Sequence, residues 1–475
     1  MPERKFLRGA FVHTPKLGTV EILRDYLLRT DDKGYIDYFA DASASASQEI
    51  LAGTRPTVIS TGSFVLPTFC DLHLHAPQFL YQGTGLHLPL MEWLNEYAFK
   101  AEESLDADPA LAERVYKRLA ARLVEHGTGA VLLFGTIKTE TNLILARVMQ
   151  DAGVRAFVGK LSMDISSRPS YVEASADASL AAARSFCERC TELSGALPTH
   201  ARLVEPVLTP RFVPTCSKPL LAGLGELSAR TGVRIQSHMA EAHDQVQHVL
   251  SAHGEADMHV FAQSALLTPH TVQAHCTFLD PVDLKALAET GAAVAHCPLS
   301  NAYFSAAPFR LREALDAGVR VGLGTDIAGG YSVDIMSAMR HAVAVSRMRE
   351  GVRILQADSG ADHVPGAEAE EKPVSVDWRE ALYLATRGGA VALGLPERCG
   401  MFAVGAPFDA QCIRLLDEET NEGVGALDFF DTRDRVSPWT PTLESVEKWW
   451  CVGDSRNRAD VWVQGAPVYP AENRA

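Results

Sequence analysis

Residues 67–79 read PTFCDLHLHAPQF, and two histidines in that run, His73 and His75, are separated by a single leucine. In a β-strand residues i and i+2 point to the same side, so both imidazoles face one space. The residues before them, 64–69, are mostly apolar, and a proline followed by an aromatic stands beyond them. This is the pattern of a buried strand that opens into a site. Two convergent imidazoles are half of a ligand set, and the other half is to be sought on other strands.

From about residue 65 to 395 the chain alternates short apolar, β-branched runs with amphipathic stretches. The runs are VLPTFCDLHLH (65–75), GAVLLFGT (129–136), RAFVGKLSM (155–163), ARLVEPVLTP (201–210), VRIQSHMAE (233–241), TVQAHCTF (271–278), AAVAHCPLS (292–300) and VRVGLGTDIA (319–328). Between them, stretches such as 108–127 and 216–232 carry apolar residues at helical spacing and end at glycine. Eight βα units predict an α/β protein with a (β/α)8 TIM-like barrel over 65–395. The flanks, 1–64 and 396–475, hold short strand-like pieces broken by Gly, Pro and Asp. They are expected to pair as one small β-sandwich domain built from both ends of the chain. The acidic, Ala- and Gly-rich stretch 358–373 reads as a surface loop.

Three further histidines, Glu241 and Asp326 fall at the ends of the predicted strands. The fifth run carries His238 and Glu241, the sixth His275, the seventh His296, and the eighth Asp326. In a barrel of this kind the C-terminal strand ends surround one site. Singly, each residue has a plainer reading: a strand histidine is usually a satisfied core residue, and Asp326 suits a turn or a helix cap. Together, four or five imidazoles and a carboxylate buried in one barrel mouth are costly unless something neutralises them, and a metal ion does so. Three imidazoles and one carboxylate suit Zn²⁺ or Fe²⁺ better than Mg²⁺ or Ca²⁺. His73, His75, His238 and Asp326 can hold one ion with a position left for water. A second ion would ask for a bridging group on the fourth strand, which ends in Thr209-Pro210-Arg211; Lys160 lies on the third and reads as structural. One ion per chain is expected.

Bulk properties narrow the partners. The chain has 475 residues, 47% of them hydrophobic and 22% charged, and a formal net charge of −15. That length suits one large domain with an accessory one. The negative charge opposes binding to nucleic acid or to an anionic membrane, which leaves a small-molecule substrate. Nine scattered cysteines, several inside apolar strands, fit reduced cytosolic thiols. Cys187 and Cys190 sit in a helical stretch with no second CxxC and read as packing. With no signal-peptide core and no long apolar run, the expected location is the cytoplasm.

HLHAPQF (73–79), LPLMEWL (88–94), FVGKLSMD (157–164), LTPRF (208–212), IQSHMAE (235–241), AHC (274–276), AHCPLSN (295–301) and GLGTDIAGGYS (322–332) occur in that order. Nearly the whole chain, through GAPFDA (405–410) and VGDSRNRADVWVQG (452–465), resembles the amidohydrolase superfamily and, within it, the guanine deaminase family. HxH with GTD marks only the superfamily; PRF and LPLxEWL are more specific. Two departures stand out: Thr68 where the family has glycine, and an aromatic-rich loop, NAYFSAAPFR (301–310), after the seventh strand.

The resemblance implies zinc-dependent hydrolysis of guanine to xanthine and ammonia in a homodimer. It gives Glu241 the proton transfer from water to the purine N3, His275 the orientation of the attacking oxygen, and Asp326 or Glu241 the proton for the leaving amine. Arg211 and Gln78 would read the base edge and Phe212 would pack on its face. Trp93 either closes the pocket or belongs to the core. The alternative is another deaminase of the superfamily, acting on a pterin, cytosine, triazine or adenosine-like ring. A scaffold that had lost catalysis would be expected to lack ligands, and every one is present here.

Overall fold

The computed structural model describes residues 4–358, 372–430 and 439–470. Eight parallel strands form the barrel in chain order, and eight more, from the two ends of the chain, form a second sheet. The chain begins with β1 (Phe6–His13), β2 (Glu21–Thr30), β3 (Ile36–Asp41), β4 (Thr57–Val58) and β5 (Ser63–Pro67), and closes with β14 (Ala410–Arg414), β15 (Arg458–Val463) and β16 (Ala466–Tyr469). These assemble as β16-β15-β14-β5-β1-β2-β3, with β4 beside β1. The two ends meet where β14 runs antiparallel to β5, Cys412 opposite Val65. Leu7, Phe11, Leu28, Val65, Phe408 and Trp462 form the core of this part.

The barrel strands are β6 (Phe69–His75), β7 (Thr128–Phe134), β8 (Arg155–Ser162), β9 (Val204–Pro210), β10 (Arg234–Met239), β11 (Thr271–His275), β12 (Ala293–His296) and β13 (Arg320–Leu323). Their inner side chains are small or branched, Ala130, Leu132, Val207, Val272, Ala274, Ala293 and Ala295 among them, as a filled barrel requires. The seam between β13 and β6 is drawn together by the turn after β13: Asp326 N donates to His73 O at 2.8 Å and His75 N to Ile327 O at 2.8 Å.

The single strand expected over 65–75 is two strands in different sheets. The switch is at Thr68, whose N–H donates to Asp409 O in the outer part (3.1 Å), while Phe69 N donates to Gly127 O at the barrel (2.9 Å). Thr68 is buried, and a Cβ on Gly129 would overlap its side chain. Gly129 therefore leaves the room that a threonine at this crossing needs.

The helices have local causes. Asp108 caps Pro109–Glu125 by accepting from Ala110 N and Leu111 N, and Ser217 caps Lys218–Thr231, which stops at Gly232 with φ +73°. A side-chain oxygen satisfies the free N–H groups of the first turn, and glycine takes the left-handed conformation at the end without a Cβ clash. Cys187 and Cys190 lie on Ala176–Leu193, and all nine thiols are free, with only Cys451 exposed. Lys160 is buried in an ion pair with Glu173 and donates to Leu161 O at 2.8 Å. Residues 359–371 of the expected surface loop lie outside the described residues. Among those described, no helix is long and apolar enough to cross a membrane.

Candidate active site

At the C-terminal mouth of the barrel β6 presents His73 and His75, with ring centroids 5.1 Å apart. His238 comes from β10 and His275 from the end of β11, while Glu241 and Asp326 follow β10 and β13 by a few residues. All six are buried. His73 Nε2 lies 3.0 Å and His75 Nε2 3.7 Å from Asp326 Oδ1, and His275 Nε2 lies 3.8 Å from Asp326 Oδ2 and 3.6 Å from Glu241 Oε1. Three overlapping sets have donor atoms close enough to share an ion: His73, His75 and Asp326; His73, His238 and His275; Glu241, His275 and Asp326. His296 belongs to none of them; its ring packs on Phe309 at 5.1 Å.

Backbone conformation turns these side chains inward. Ala240, His275, Cys276 and Asp326 all have positive φ, between 46° and 68°, a region non-glycine residues occupy at a cost and chiefly at functional sites. Asp71 braces the turn that carries Asp326: its carboxylate accepts from Thr325 N (3.0 Å), Thr325 Oγ1 (2.6 Å) and His73 N (3.2 Å). Phe134, at the end of β7, floors the cluster, 4.8 Å from the rings of His73 and His75 and 4.5 Å from that of His238.

The outer nitrogens fix the tautomers. His238 Nδ1 donates to Arg211 O (2.6 Å) and His275 Nδ1 to Asn301 Oδ1 (2.9 Å), so each Nε2 carries its lone pair into the site. Burial, and after it the neighbouring imidazoles, hold His73, His75 and His238 well below the ordinary histidine range. They are neutral, as ligands must be. Burial raises Asp326, and burial with the Asp326 charge raises Glu241 well above a free carboxyl. His75 Nε2 and His238 Nε2 are 3.0 Å apart. If both point lone pairs at each other they repel; if His75 donates, its Nδ1, which has no partner, is left as a buried lone pair. A cation between the nitrogens removes either penalty, so the residues present fit a metal ion.

Beside the cluster is a cleft with a polar end and apolar walls. Gln78 and Arg211 supply the polar side chains away from the cluster, Leu90, Trp93, Leu94, Phe212 and Phe304 the apolar lining, and His75, His238, Glu241 and Asp326 of the cluster line it as well. Trp93 is buried and also lines the cleft; its ring lies 5.1 Å from Phe304, and its Nε1 donates to Thr84 O at 3.4 Å. The aromatic loop after β12 begins with a wide helical turn, Asn301–Ser305, that brings Phe304 to the cleft and Asn301 to His275. Ser305 Oγ donates to Glu241 O, and Glu241 N donates to Gln245 Oε1 at 2.9 Å.

Sequence reading missed Glu102, which accepts from Arg211 Nη1 at 2.6 Å. It also missed the support that Asp71 and Asn301 give the histidines. Asp71 stands two residues before His73 in the stretch 67–79 and Asn301 closes AHCPLSN, so both were within quoted segments. Glu102 follows Phe99 by three residues, and that spacing on one helix face was the available signal.

The sequence model of the amidohydrolase family matches residues 64–468. Guanine deaminase of Mus musculus is 35% identical over 472 residues, covering 98% of this chain and 96% of that protein. Guanine deaminase of Homo sapiens is 35% identical over 479 residues, covering 99% and 97%. The crystal structure of guanine deaminase from C. acetobutylicum with guanine bound in its active site superposes with a TM-score of 0.82 at 25% identity, over 98% of this chain and 100% of that one. With the family match spanning 64–468 and relatives 35% identical over 98–99% of its length, the chain belongs to the amidohydrolase family and groups there with the guanine deaminases.

Proposed function

We propose that this protein is a guanine deaminase, a hydrolase that converts guanine and water to xanthine and ammonia. The observation that carries the reading is the cleft itself, whose lining joins the buried N–H donors of Arg211 and Gln78, the imidazoles and carboxylates of the cluster, and the aromatic rings of Trp93, Phe212 and Phe304. A purine laid between those walls puts its oxygen-bearing edge toward the donors and its C2 amine toward the cluster.

His73, His75, His238 and Asp326 would hold one ion per chain. Their nitrogen-rich donor set favours Zn²⁺, with Fe²⁺ as the other candidate. When bound, such an ion supplies an activated water, lowering its pKa to about 7. Glu241 takes a proton from the water side of the site and delivers it to the purine N3. Negative charge that would build on the ring during attack at C2 is thereby quenched, and positioned acid-base transfer of this sort contributes roughly 10² to 10⁴ in rate. His275, held by Asn301, orients the attacking oxygen, and Asp326 or Glu241 returns a proton to the departing amine. Arg211 and Gln78 donate to the base edge, Phe212 packs on the ring face, and Trp93 with Phe304 keeps bulk water out.

The protein acts in the cytoplasm as a homodimer in this reading. Met348, Val352 and Leu355, exposed on helix Ile335–Asp358, recur at helical spacing and offer an apolar stripe to a second copy. The deciding experiment measures ammonia release from purified protein given guanine, adenine, cytosine or a pterin in turn. Release from guanine is expected; release from another ring and none from guanine overturns the assignment.

A further inference from the structure

The polar end of the cleft is organised from behind by a residue that does not line it. Glu102, on helix Phe99–Ala107, is 0% exposed. Its Oε2 accepts from Arg211 Nη1 at 2.6 Å and its Oε1 from Gln78 Nε2 at 3.3 Å. The Gln78 carbonyl is also committed, accepting from Ala328 N at 3.1 Å. One hydrogen on Nε2 is left to face the cleft. Arg211 lies over the Phe99 ring, with Cζ 4.8 Å from its centroid, and its Nη2 is buried with no partner.

A carboxylate accepts and never donates. Facing Glu102, the Gln78 amide must present its NH₂ group, because the flipped amide would set its carbonyl against the carboxylate and its NH₂ against the Ala328 N–H that the carbonyl now satisfies. The same charge holds the guanidinium in one orientation, since a buried arginine without its partner is strongly disfavoured. One carboxylate thus fixes two side chains so that this end of the cleft offers N–H donors alone.

We propose that Glu102 is a specificity-determining positioning residue: by holding the Arg211 guanidinium in place and the Gln78 amide with its NH₂ toward the cleft, it makes the site accept purines that carry an oxygen at C6 and reject those that do not. The inference rests on the guanine deaminase reading above. A ring without that oxygen leaves two buried donors unpaired, the mismatch that hydrogen-bonding sites reject most strongly. A glutamine at 102 removes the charge that holds Arg211 and loosens the constraint on Gln78, because its amide can accept or donate and leaves only the Ala328 N–H to orient that side chain.

The test compares guanine with 2-aminopurine, which is guanine lacking O6, on metal-loaded wild-type and Glu102→Gln enzyme. The wild type is expected to favour guanine in kcat/KM by roughly 10⁴-fold. In Glu102→Gln the ratio should fall at least about tenfold, chiefly through guanine, with metal content unchanged. Equal losses on both substrates, the result of a merely structural role, overturn the proposal. Should Glu102→Gln fail to fold, Glu102→Asp carries the same test. It keeps the charge but is one methylene too short to reach both partners, so the ratio should again fall, and an unchanged ratio overturns the proposal. A wild type that releases no ammonia from guanine ends the functional reading itself, before any variant is made.

Discussion

His75 Nε2 and His238 Nε2 stand 3.0 Å apart, each ring buried and each well below its ordinary pKa. Two neutral imidazoles at that distance, with Asp326 Oδ1 3.7 Å from the first, are arranged as ligands to a common cation rather than as core residues.

Purified protein should therefore contain about one zinc or iron ion per chain, for which His73, His75, His238 and Asp326 would be the ligands with one position left for water. His73→Ala should lower metal affinity by more than the roughly 10- to 100-fold that loss of a mere supporting residue causes, and abolish activity. Elemental analysis decides: two ions per chain, or a fully active metal-free enzyme, contradicts the single-ion site.

Glu241→Gln is nearly isosteric, and its backbone anchors to Gln245 and Ser305 do not depend on the carboxylate. The variant should keep its fold and metal and lose roughly 10² to 10⁴ in kcat, with KM little changed. Steady-state kinetics beside metal analysis checks this; near-normal kcat would move the proton transfer to Asp326 or His275.

Removing Arg211 strands Glu102 as a buried charge. Arg211→Met should cost about 3 to 5 kcal/mol of stability, and the double variant Arg211→Met/Glu102→Gln should recover most of it, since its buried groups are neutral. Denaturant titrations of the two variants measure the difference. Guanine turnover should fall in both, which separates the residue's part in stability from its part in substrate reading.

Asp257 supports Glu241 at one remove, accepting from Gln245 Nε2 at 2.8 Å. Burial pushes its carboxyl up to about 7 from an ordinary 3.8. A folded-state pKa above the unfolded one adds stability that is fully present below pH 4 and lost as pH rises through 7. Asp257→Asn, which keeps the acceptor without the ionisation, should be more stable than wild type at pH 8, and that advantage should shrink toward pH 4. Thermal melts across that window measure it; a constant difference contradicts the shift.

The architecture and the histidine–carboxylate cluster were legible in the amino-acid order because both rest on short-range periodicity. Two-residue alternation places His73 and His75 on one side of β6, and eight βα units bring the strand ends to one mouth, so His238, His275 and Asp326 meet there wherever they stand in the chain. Residues whose role depends on a partner across the fold were not legible. Glu102 beside Glu103 resembles a solvated helix face, and only packing of Phe99–Ala107 under the cleft pairs it with Arg211, 109 positions away. Trp93, open in sequence between wall and core, is both, since a ring this size can bury one part against Phe304 and leave an edge on the cleft. The break at Thr68 has the same origin: the run 64–69 is apolar on both sides of it, because burial in either sheet asks for the same side chains. Which sheet each half joins is decided by backbone hydrogen bonds to Asp409 and Gly127, and those partners exist only once the chain has folded.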